Sequence, residues 1–203
     1  MAGIGKAKER CPVCAASRRL CMCAVAPRLD LRTKIALVIH HRELKRSSNT
    51  GLLALRALVN CELRVRGAGR EMLDLSELLS PQYRTLLFYP CADAVELNRQ
   101  LIDQDPRPIQ LIVPDGTWRQ TRKIHSRHQE LKDIPRVKIS TPNDARYQLR
   151  AQSRAEGMAT LQAIASALGV IEGDHVAAQL MALYRARVDR TLSARGLIRP
   201  VAI

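Results

Sequence analysis

A carboxylate and an indole lie close together in the stretch Pro114-Asp115-Gly116-Thr117-Trp118, which holds the only tryptophan of the chain. A carboxylate can act as a general base, and an aromatic ring can stack on an unpaired nucleotide base. The apolar run at 109–113 precedes Asp115, and a long segment without Gly or Pro begins at Trp118. This pattern predicts a strand that turns into a helix, a position where open α/β sheets bind ligands. The structural alternative is that Asp115 or Thr117 caps the helix while Trp118 packs in the core.

Apolar runs and helical patterns alternate along the chain after residue 30. Five runs predict strands, at 34–40, 62–66, 85–89, 109–113 and 136–140. Helical patterns are found between and after them, at 50–59, 94–104, 118–131, 155–168 and 174–195. Strands that alternate with helices indicate an α/β fold with a mostly parallel sheet and helices on both faces.

Polar loops follow several of the predicted strands. Ser48, Asn49 and Thr50 come after the strand at 34–40, and Tyr89-Pro90 ends the strand at 85–89. Because the carboxyl ends of parallel strands share one edge of a sheet, we expect these loops to lie beside Asp115. Their amides and hydroxyls suit an anion or a carboxylate. Taken singly, each loop can also be an ordinary cap or turn.

Four of the six cysteines form two short pairs, Cys11 with Cys14 and Cys21 with Cys23. Thiolates are favoured zinc ligands, and two close pairs can form a closed tetrahedral site. The alternative is a redox disulfide, but no thioredoxin-like βαβ pattern follows the first pair. We therefore predict a structural zinc site in a small module at residues 1–30.

The chain is strongly basic, since 33 Lys and Arg against 19 Asp and Glu give a formal net charge of +14. A positive charge of this size attracts polyanions and predicts a nucleic acid partner. The start of the chain lacks the apolar stretch of a signal peptide, and no apolar run approaches a membrane-spanning length. These features favour a cytoplasmic protein without membrane contact. The absence of a phosphate-binding Gly-Lys-Ser/Thr motif leaves nucleotide triphosphate hydrolysis without support.

Several short motifs, in a fixed order, resemble those of the DTW-domain family. They are the two cysteine pairs, Arg46-x-Ser48-Asn49-Thr50, Tyr89-Pro90, Asp115-Gly116-Thr117-Trp118 and Tyr147-x-Leu149-Arg150. The resemblance extends from Cys11 to about Leu168. It departs at Gln162, where the family pattern has a glutamate, and we therefore give Gln162 no catalytic role. The resemblance implies a SPOUT-like catalytic domain at residues 31–203 with a C-terminal knot.

The family's enzymes transfer the 3-amino-3-carboxypropyl group of S-adenosylmethionine to the imide nitrogen of a tRNA uridine, and methylthioadenosine leaves. The resemblance thus implies S-adenosylmethionine as co-substrate and tRNA as partner. Asp115 becomes the candidate base, provided that burial beside Trp118 makes its carboxylate more basic. Thr117 and Trp118 complete the predicted catalytic group, with Trp118 as a stacking platform for the uridine.

The remaining implied site residues fall into two sets. The residues expected to hold the co-substrate are Ser48, Asn49, Thr50, Tyr89, Pro90, Pro114, Asp115 and Gly116. The residues expected to contact RNA are Arg46, Arg119, Arg122, Lys123, Arg146, Tyr147 and Arg150.

Two other functions remain open at the level of sequence. A methyltransferase of the related knotted class would use the same co-substrate and RNA. A non-catalytic RNA-binding protein with a zinc module would explain the charge and the cysteines, but it leaves the 115–118 motif without a purpose. The sequence does not specify the modified uridine or the oligomeric state.

Overall fold

The computed structural model describes residues 11–14, 16–46, 48–69, 73–140 and 157–197. Six strands form one sheet in the order β2-β1-β5-β3-β6-β4, and all neighbouring strands are parallel. The strands are β1 (Lys34–His40), β2 (Cys61–Arg66), β3 (Arg84–Phe88), β4 (Val95–Glu96), β5 (Ile109–Asp115) and β6 (Arg136–Lys138). The predicted parallel α/β sheet is confirmed.

Helices cover both faces of this sheet. They are α1 (Ala54–Ala57), α2 (Arg99–Ile102), α3 (Trp118–Arg127), α4 (Thr160–Glu172) and α5 (Asp174–Ala194). Side chains alternate along the strands, so that Leu37 and Val113 belong to a core with α1, α4 and α5. Val38 and Ile112 belong to a second core with α3 on the opposite face. The prediction of helices on both faces is therefore confirmed.

Two predicted helices are replaced by shorter elements. The segment expected to be helical at 50–59 forms a 3₁₀ turn at Gly51–Leu53 and one turn of α1. The segment at 94–104 contains β4, which pairs with β6, and only then α2. The Asn98 side chain accepts a hydrogen bond from Leu101 N at 2.8 Å, which fixes the start of α2 at Arg99.

Two other helix boundaries differ from the sequence pattern. The helix predicted at 118–131 ends at Arg127, because His128 is extended and a separate 3₁₀ turn follows at Gln129–Leu131. The helix predicted at 155–168 begins at Thr160 and continues to Glu172. Glu172 Oε1 accepts hydrogen bonds from Thr33 N at 2.7 Å and Thr33 Oγ1 at 2.5 Å, which joins the end of α4 to the start of β1.

The four-cysteine segment packs directly on the main core. Met22 is buried within the core on the α4–α5 face of the sheet. Arg187 and Arg190 of α5 donate hydrogen bonds to the carbonyl oxygens of Leu20 and Cys21. Arg56 of α1 donates another to Val13 O at 2.6 Å. Three cations of the main fold thus contact the backbone of the segment that carries the thiols.

The C-terminal knot implied by the family resemblance stays a prediction. The connection from β6 to α4 passes through 141–156, which lies outside the described residues.

Candidate active site

Three of the predicted loops leave adjacent strands at the carboxyl edge of the sheet. In the strand order, β5 lies between β1 and β3, and Ile39 near the end of β1 is in register with Asp115 at the end of β5. The loop at 48–50 follows β1, and Tyr89-Pro90 follows β3. Asp115 therefore lies at the centre of the three segments, as the sequence predicted.

The Asp115 carboxylate is buried and held by side chains from two other segments. It is only 6% exposed. Asn49 Nδ2 donates to its Oδ2 at 2.6 Å, and Thr160 Oγ1 at the start of α4 donates to its Oδ1 at 2.7 Å. Donors on both oxygens fix the orientation of the carboxylate.

The loop after β1 approaches this carboxylate closely at Gly51. A Cβ atom added to Gly51 would lie 2.5 Å from Asp115 Oδ2 and 3.2 Å from Thr160 Cγ2. The loop is also tied to itself and to α4, since Leu52 N donates to Asn49 Oδ1 at 3.1 Å and Leu161 N donates to Thr50 Oγ1 at 3.3 Å. The absence of a side chain at residue 51 allows three distant segments to meet.

We expect Gly51→Ala to impair the site more than the fold. The new methyl group must displace either the Asp115 carboxylate or the turn at residues 51–53, and overpacking of this kind costs about 1–3 kcal/mol. The rate of the transfer reaction that the family resemblance implies should fall by roughly tenfold or more, because a small displacement of a positioned catalytic group is costly. Gly69→Ala is the matched control, since a Cβ at Gly69 has no heavy atom of the described residues within 4 Å. Equal rates and equal melting temperatures for the two variants would contradict this role of Gly51.

Thr117 and Trp118 start helix α3, as the structural alternative proposed. Thr117 is the N-cap of a capping box: its Oγ1 accepts from Gln120 N at 3.4 Å, while Gln120 Oε1 accepts from Thr117 N at 2.7 Å. The Trp118 ring is half-buried and lies 6.4 Å from the Tyr89 ring, at an interplanar angle of 55°. The cap accounts for the Thr117 hydroxyl, and the catalytic roles of Thr117 and Trp118 stay predictions.

The other residues predicted to hold the co-substrate lie at the same edge of the sheet. Asn49, Thr50 and Tyr89 are buried. Four more are half-buried: Ser48, Pro90, Pro114 and Gly116. Their contact with S-adenosylmethionine stays a prediction.

The residues predicted to contact RNA are found in different settings. Arg119 and Arg122 are exposed on α3, and Lys123 is half-buried there. Arg46 is half-exposed and forms an ion pair with the buried Glu43 at 3.2 Å. Three further predicted residues lie outside the described part of the chain: Arg146, Tyr147 and Arg150.

Sequence reasoning did not select two residues of the Asp115 site. Thr160 carries a hydrogen bond to the carboxylate from a helix 45 residues further along the chain. Gly51 is important because of the space it leaves free. Thr160 matches the threonine of the family's late-helix pattern, and Gly51 follows a polar loop, but neither signal indicates contact with Asp115.

The four predicted metal ligands come together. The Sγ atoms of the four cysteines lie within 4.8 Å of one another. The Cys11–Cys23 and Cys14–Cys21 Sγ pairs are 4.0 and 3.7 Å apart. A tetrahedron with Zn–S bonds of about 2.3 Å has S–S edges of about 3.8 Å, so the cluster has the dimensions of a zinc tetrathiolate.

The thiol acidities show why a cation suits this cluster. Hydrogen bonds from the backbone of Cys14 and Val13 lower the pKa of the Cys11 thiol to about 6. Burial and the neighbouring thiols raise the pKa of the Cys23 thiol to about 12. Four thiolates at this spacing repel one another, and a bound divalent cation would compensate that repulsion.

The fold and the site define an α/β protein with a buried, oriented carboxylate at the sheet edge where such proteins bind ligands. The chain belongs to the DTW family, because the family model of the DTW domain matches residues 8–192. The resemblance seen in the sequence motifs is thereby confirmed.

Three relatives share the name tRNA-uridine aminocarboxypropyltransferase 2. The protein from Macaca fascicularis is 26% identical over 172 residues, which is 82% of this chain and 58% of the relative. The protein from Drosophila melanogaster is 30% identical over 173 residues, which is 81% of this chain and 67% of the relative. The protein from Mus musculus is 25% identical over 170 residues, which is 81% of this chain and 57% of the relative. The chain therefore spans about three fifths to two thirds of the length of these relatives.

No solved structure matches this chain. Within the described ranges, none of the helices has the length and apolar character needed to cross a membrane.

Proposed function

We propose that this chain transfers the 3-amino-3-carboxypropyl group of S-adenosylmethionine to the imide nitrogen of a uridine in tRNA. The observation that carries the proposal is the buried Asp115 carboxylate, held by Asn49 and Thr160 at the ligand-binding edge of a DTW domain. The names of the three relatives and the net charge of +14 support tRNA as the acceptor.

The proposed reaction is a substitution at carbon. The imide nitrogen of uridine loses its proton and forms a bond to the methylene carbon beside the sulfonium. The bond between that carbon and sulfur breaks, and its electron pair stays on sulfur, which becomes the neutral thioether of methylthioadenosine. The enzyme must supply a proton acceptor and hold the methylene carbon, instead of the methyl group, in line with the nitrogen.

Asp115 is the proposed proton acceptor. Asn49 donates to one oxygen of this carboxylate and Thr160 donates to the other, and a carboxylate is an acceptor that can also take up a proton. These two donors fix the direction in which the carboxylate accepts the proton, so we assign Asn49 and Thr160 positioning roles. The half-buried Trp118 ring beside Tyr89 supplies a flat surface on which the uridine can stack.

The four-cysteine cluster is proposed to bind one structural zinc ion. Its ligands would be Cys11, Cys14, Cys21 and Cys23, whose spacing fits a closed site with no free coordination position. A closed site supplies no Lewis acid to the reaction. Its contribution is to hold the segment at 11–23 in one conformation against α5.

A carboxyl-labelled donor tests the proposed transfer. Incubation with unmodified tRNA and carboxyl-labelled S-adenosylmethionine should move the label into RNA, because the carboxyl group travels with the aminocarboxypropyl chain. A knotted-class methyltransferase would leave this label behind and would transfer a methyl label instead. A non-catalytic RNA-binding protein would bind the tRNA and transfer neither label, which would contradict the proposed activity.

A further inference from the structure

We propose that a basic surface beside the Asp115 site binds the phosphate backbone of the RNA. This surface, which we call the β1–β2 surface, consists of His40, His41, Arg42, Arg66 and Arg127. The inference rests on the proposed function, because it assumes that the substrate is a folded tRNA. None of its five residues is among the motif residues named in the sequence analysis.

The sheet register places the β1–β2 surface next to Asp115. His40 ends β1 and is in register with Arg66 at the end of β2. The preceding residue, Ile39, is in register with Asp115. Strands lie about 4.8 Å apart and rise about 3.3 Å per residue, so His40 and Asp115 are one strand and one residue apart. Because alternate residues point to opposite faces, His40 and Arg66 lie on the α3 face and Asp115 on the α4 face.

Two histidine rings form the centre of the surface. The centroids of His40 and His41 are 4.7 Å apart, with an interplanar angle of 39°. The chain turns beside them at Gly67, which has a φ of +75°. A Cβ added to Gly67 would lie 3.4 Å from His40 Nε2 and 3.5 Å from His41 Cδ2, so the turn packs against both rings.

A buried histidine holds Arg66 in place. Arg66 Nε donates to His128 Nε2 at 3.2 Å, and His128 Nδ1 lies 2.9 Å from Glu130 Oε1. With Nε2 as the acceptor, the proton of the neutral His128 ring lies on Nδ1 and is donated to Glu130. Glu130 Oε1 also accepts from Leu75 N at 3.0 Å. This chain of contacts orients the guanidinium through Nε and keeps its Nη pair for a bidentate contact with phosphate.

The charges of the β1–β2 surface repel one another. Burial lowers the pKa of His40, and the positive charges of His41, Arg42 and Arg66 lower it further. Burial also lowers the pKa of Arg66, with a contribution from Arg127. A bound phosphate would relieve this repulsion.

The acids near the β1–β2 surface already have partners. Glu43, which interacts with His40, is buried and ion-paired with Arg46 at 3.2 Å. Glu130 is bonded to His128 and to Leu75 N. Glu43 and Glu130 are thus shared with Arg46 and His128, while all five residues of the β1–β2 surface are basic, which suits a region that attracts a polyanion.

Helix α3 connects the β1–β2 surface to the Asp115 site. It begins at Trp118 directly after β5, and its last residue, Arg127, precedes the histidine that contacts Arg66. Its exposed positions include Arg119 and Arg122. The positive surface therefore extends from the start of α3 to the end of β2, and an RNA backbone could follow it while one base enters the site.

Two exposed arginines provide the test. Arg42→Gln with Arg127→Gln removes two charges from the β1–β2 surface and leaves the half-buried His40 and Arg66 in place. Arg28→Gln with Arg32→Gln is the matched control, because both residues are exposed near the opposite edge of the sheet, before β1 begins. The affinity for unmodified tRNA is measured for each variant between 50 and 200 mM salt, together with label transfer by the wild-type protein.

The salt dependence identifies the phosphate contacts. Each lost phosphate contact reduces the magnitude of the slope of log affinity against log salt concentration by about 0.7–0.9. The Arg42/Arg127 variant loses two such contacts, so its slope should be smaller than that of the wild type by about 1.4–1.8. Its affinity should fall by roughly tenfold or more at 0.1 M salt, while the Arg28/Arg32 control keeps both quantities close to those of the wild type.

The outcomes separate this inference from the proposed function. Equal slopes and affinities for the two double variants, with label transfer by the wild type, would overturn the β1–β2 surface and leave the transfer reaction standing. If only the Arg42/Arg127 variant loses affinity for tRNA, and the wild type transfers no label, the β1–β2 surface is supported and the proposed reaction is overturned. A wild-type protein that binds no tRNA would overturn both.

Discussion

Asp115→Asn is expected to slow aminocarboxypropyl transfer by about 10²- to 10⁴-fold, the range that a positioned general base contributes. The substitution removes the negative charge and the proton acceptor at the centre of the site. It preserves the size of the side chain, which matters because Gly51 and Thr160 pack closely against the carboxylate.

The hydrogen bonds around residue 115 can survive this substitution. The amide oxygen of Asn can accept from Asn49 Nδ2, as Asp115 Oδ2 does at 2.6 Å. The amide nitrogen would then face Thr160 Oγ1, and a hydroxyl can rotate to accept a hydrogen bond instead of donating one. The melting temperature should therefore change little, and a loss of rate can be assigned to the lost charge.

A pH profile separates a base from a residue that only positions the substrate. If Asp115 removes the imide proton, the Asp115→Asn variant should gain rate as the pH rises, because alkaline solution ionises the uridine without enzymatic help. The ratio of the wild-type rate to the variant rate should therefore decrease as the pH rises. If this ratio does not change with pH, Asp115 acts by electrostatic stabilisation or by positioning the substrate, and not as the base. If the folded variant has a single-turnover rate near that of the wild type, Asp115 has neither a base role nor a positioning role.

Thr160→Ser is the control for the hydrogen-bond network. It keeps the hydroxyl that donates to Asp115 Oδ1 at 2.7 Å and removes only the methyl group. Its transfer rate should stay within a few-fold of the wild-type rate. Thr160→Val removes the donor and leaves a buried carboxylate oxygen with one partner fewer, which should lower the rate without the pH signature of Asp115→Asn.

The sheet was predictable because parallel strands buried on both faces form nearly continuous apolar runs. The run at 34–40 corresponds to β1 residue for residue, and the run at 109–113 forms all but the last two residues of β5. The position of Asp115 followed from the same rule, since the carboxyl end of a parallel strand is where such folds bind ligands.

The short helices were not predictable from local pattern. The segment after Thr50 has apolar residues at helical spacing, but its backbone is tied by the bonds that Asn49 and Thr50 make with Asp115 and α4. The segment at 94–104 contains an edge strand, because Val95 pairs with Val137 of β6, which lies 42 residues further along the chain. Tertiary contacts of this kind override intrinsic helix preference.

Long-range contacts also explain the residues that sequence reasoning missed. Arg10, Arg18 and Arg19 lie close to the cysteines in the sequence, where their charges would offset that of a zinc tetrathiolate. The structure adds Arg187 and Arg190, which contact the carbonyl oxygens of Leu20 and Cys21 from α5. No spacing rule connects residues separated by more than 160 positions, so these contacts emerge only when the helix is packed on the sheet.

Removal of zinc is expected to destabilise more of the protein than the four-cysteine segment. Purified protein should contain about one zinc per chain, and structural zinc sites bind with apparent free energies of about 10–16 kcal/mol. Met22 lies between the two ligands of the second pair and is buried in the core with α4 and α5. Loss of the ion should therefore release Met22 and the contacts of Arg187 and Arg190.

The measurement is the melting temperature and metal content before and after chelation. A loss of about 5 kcal/mol would lower the melting temperature of a chain of this size by roughly 10–20 °C.

Cys14→Ser should reproduce the effect, because it removes one of the four ligands whose Sγ atoms lie within 4.8 Å of one another. Cys91→Ser is the matched control, since this half-buried thiol lies outside the cluster and should leave the zinc content unchanged. Metal-free protein that is fully folded, or equal metal loss in both variants, would show that the cysteines do not form a structural zinc site. Helix α5 packs on α4, and Thr160 at the start of α4 donates a hydrogen bond to Asp115. Loss of zinc should therefore also lower the transfer rate before the sheet unfolds.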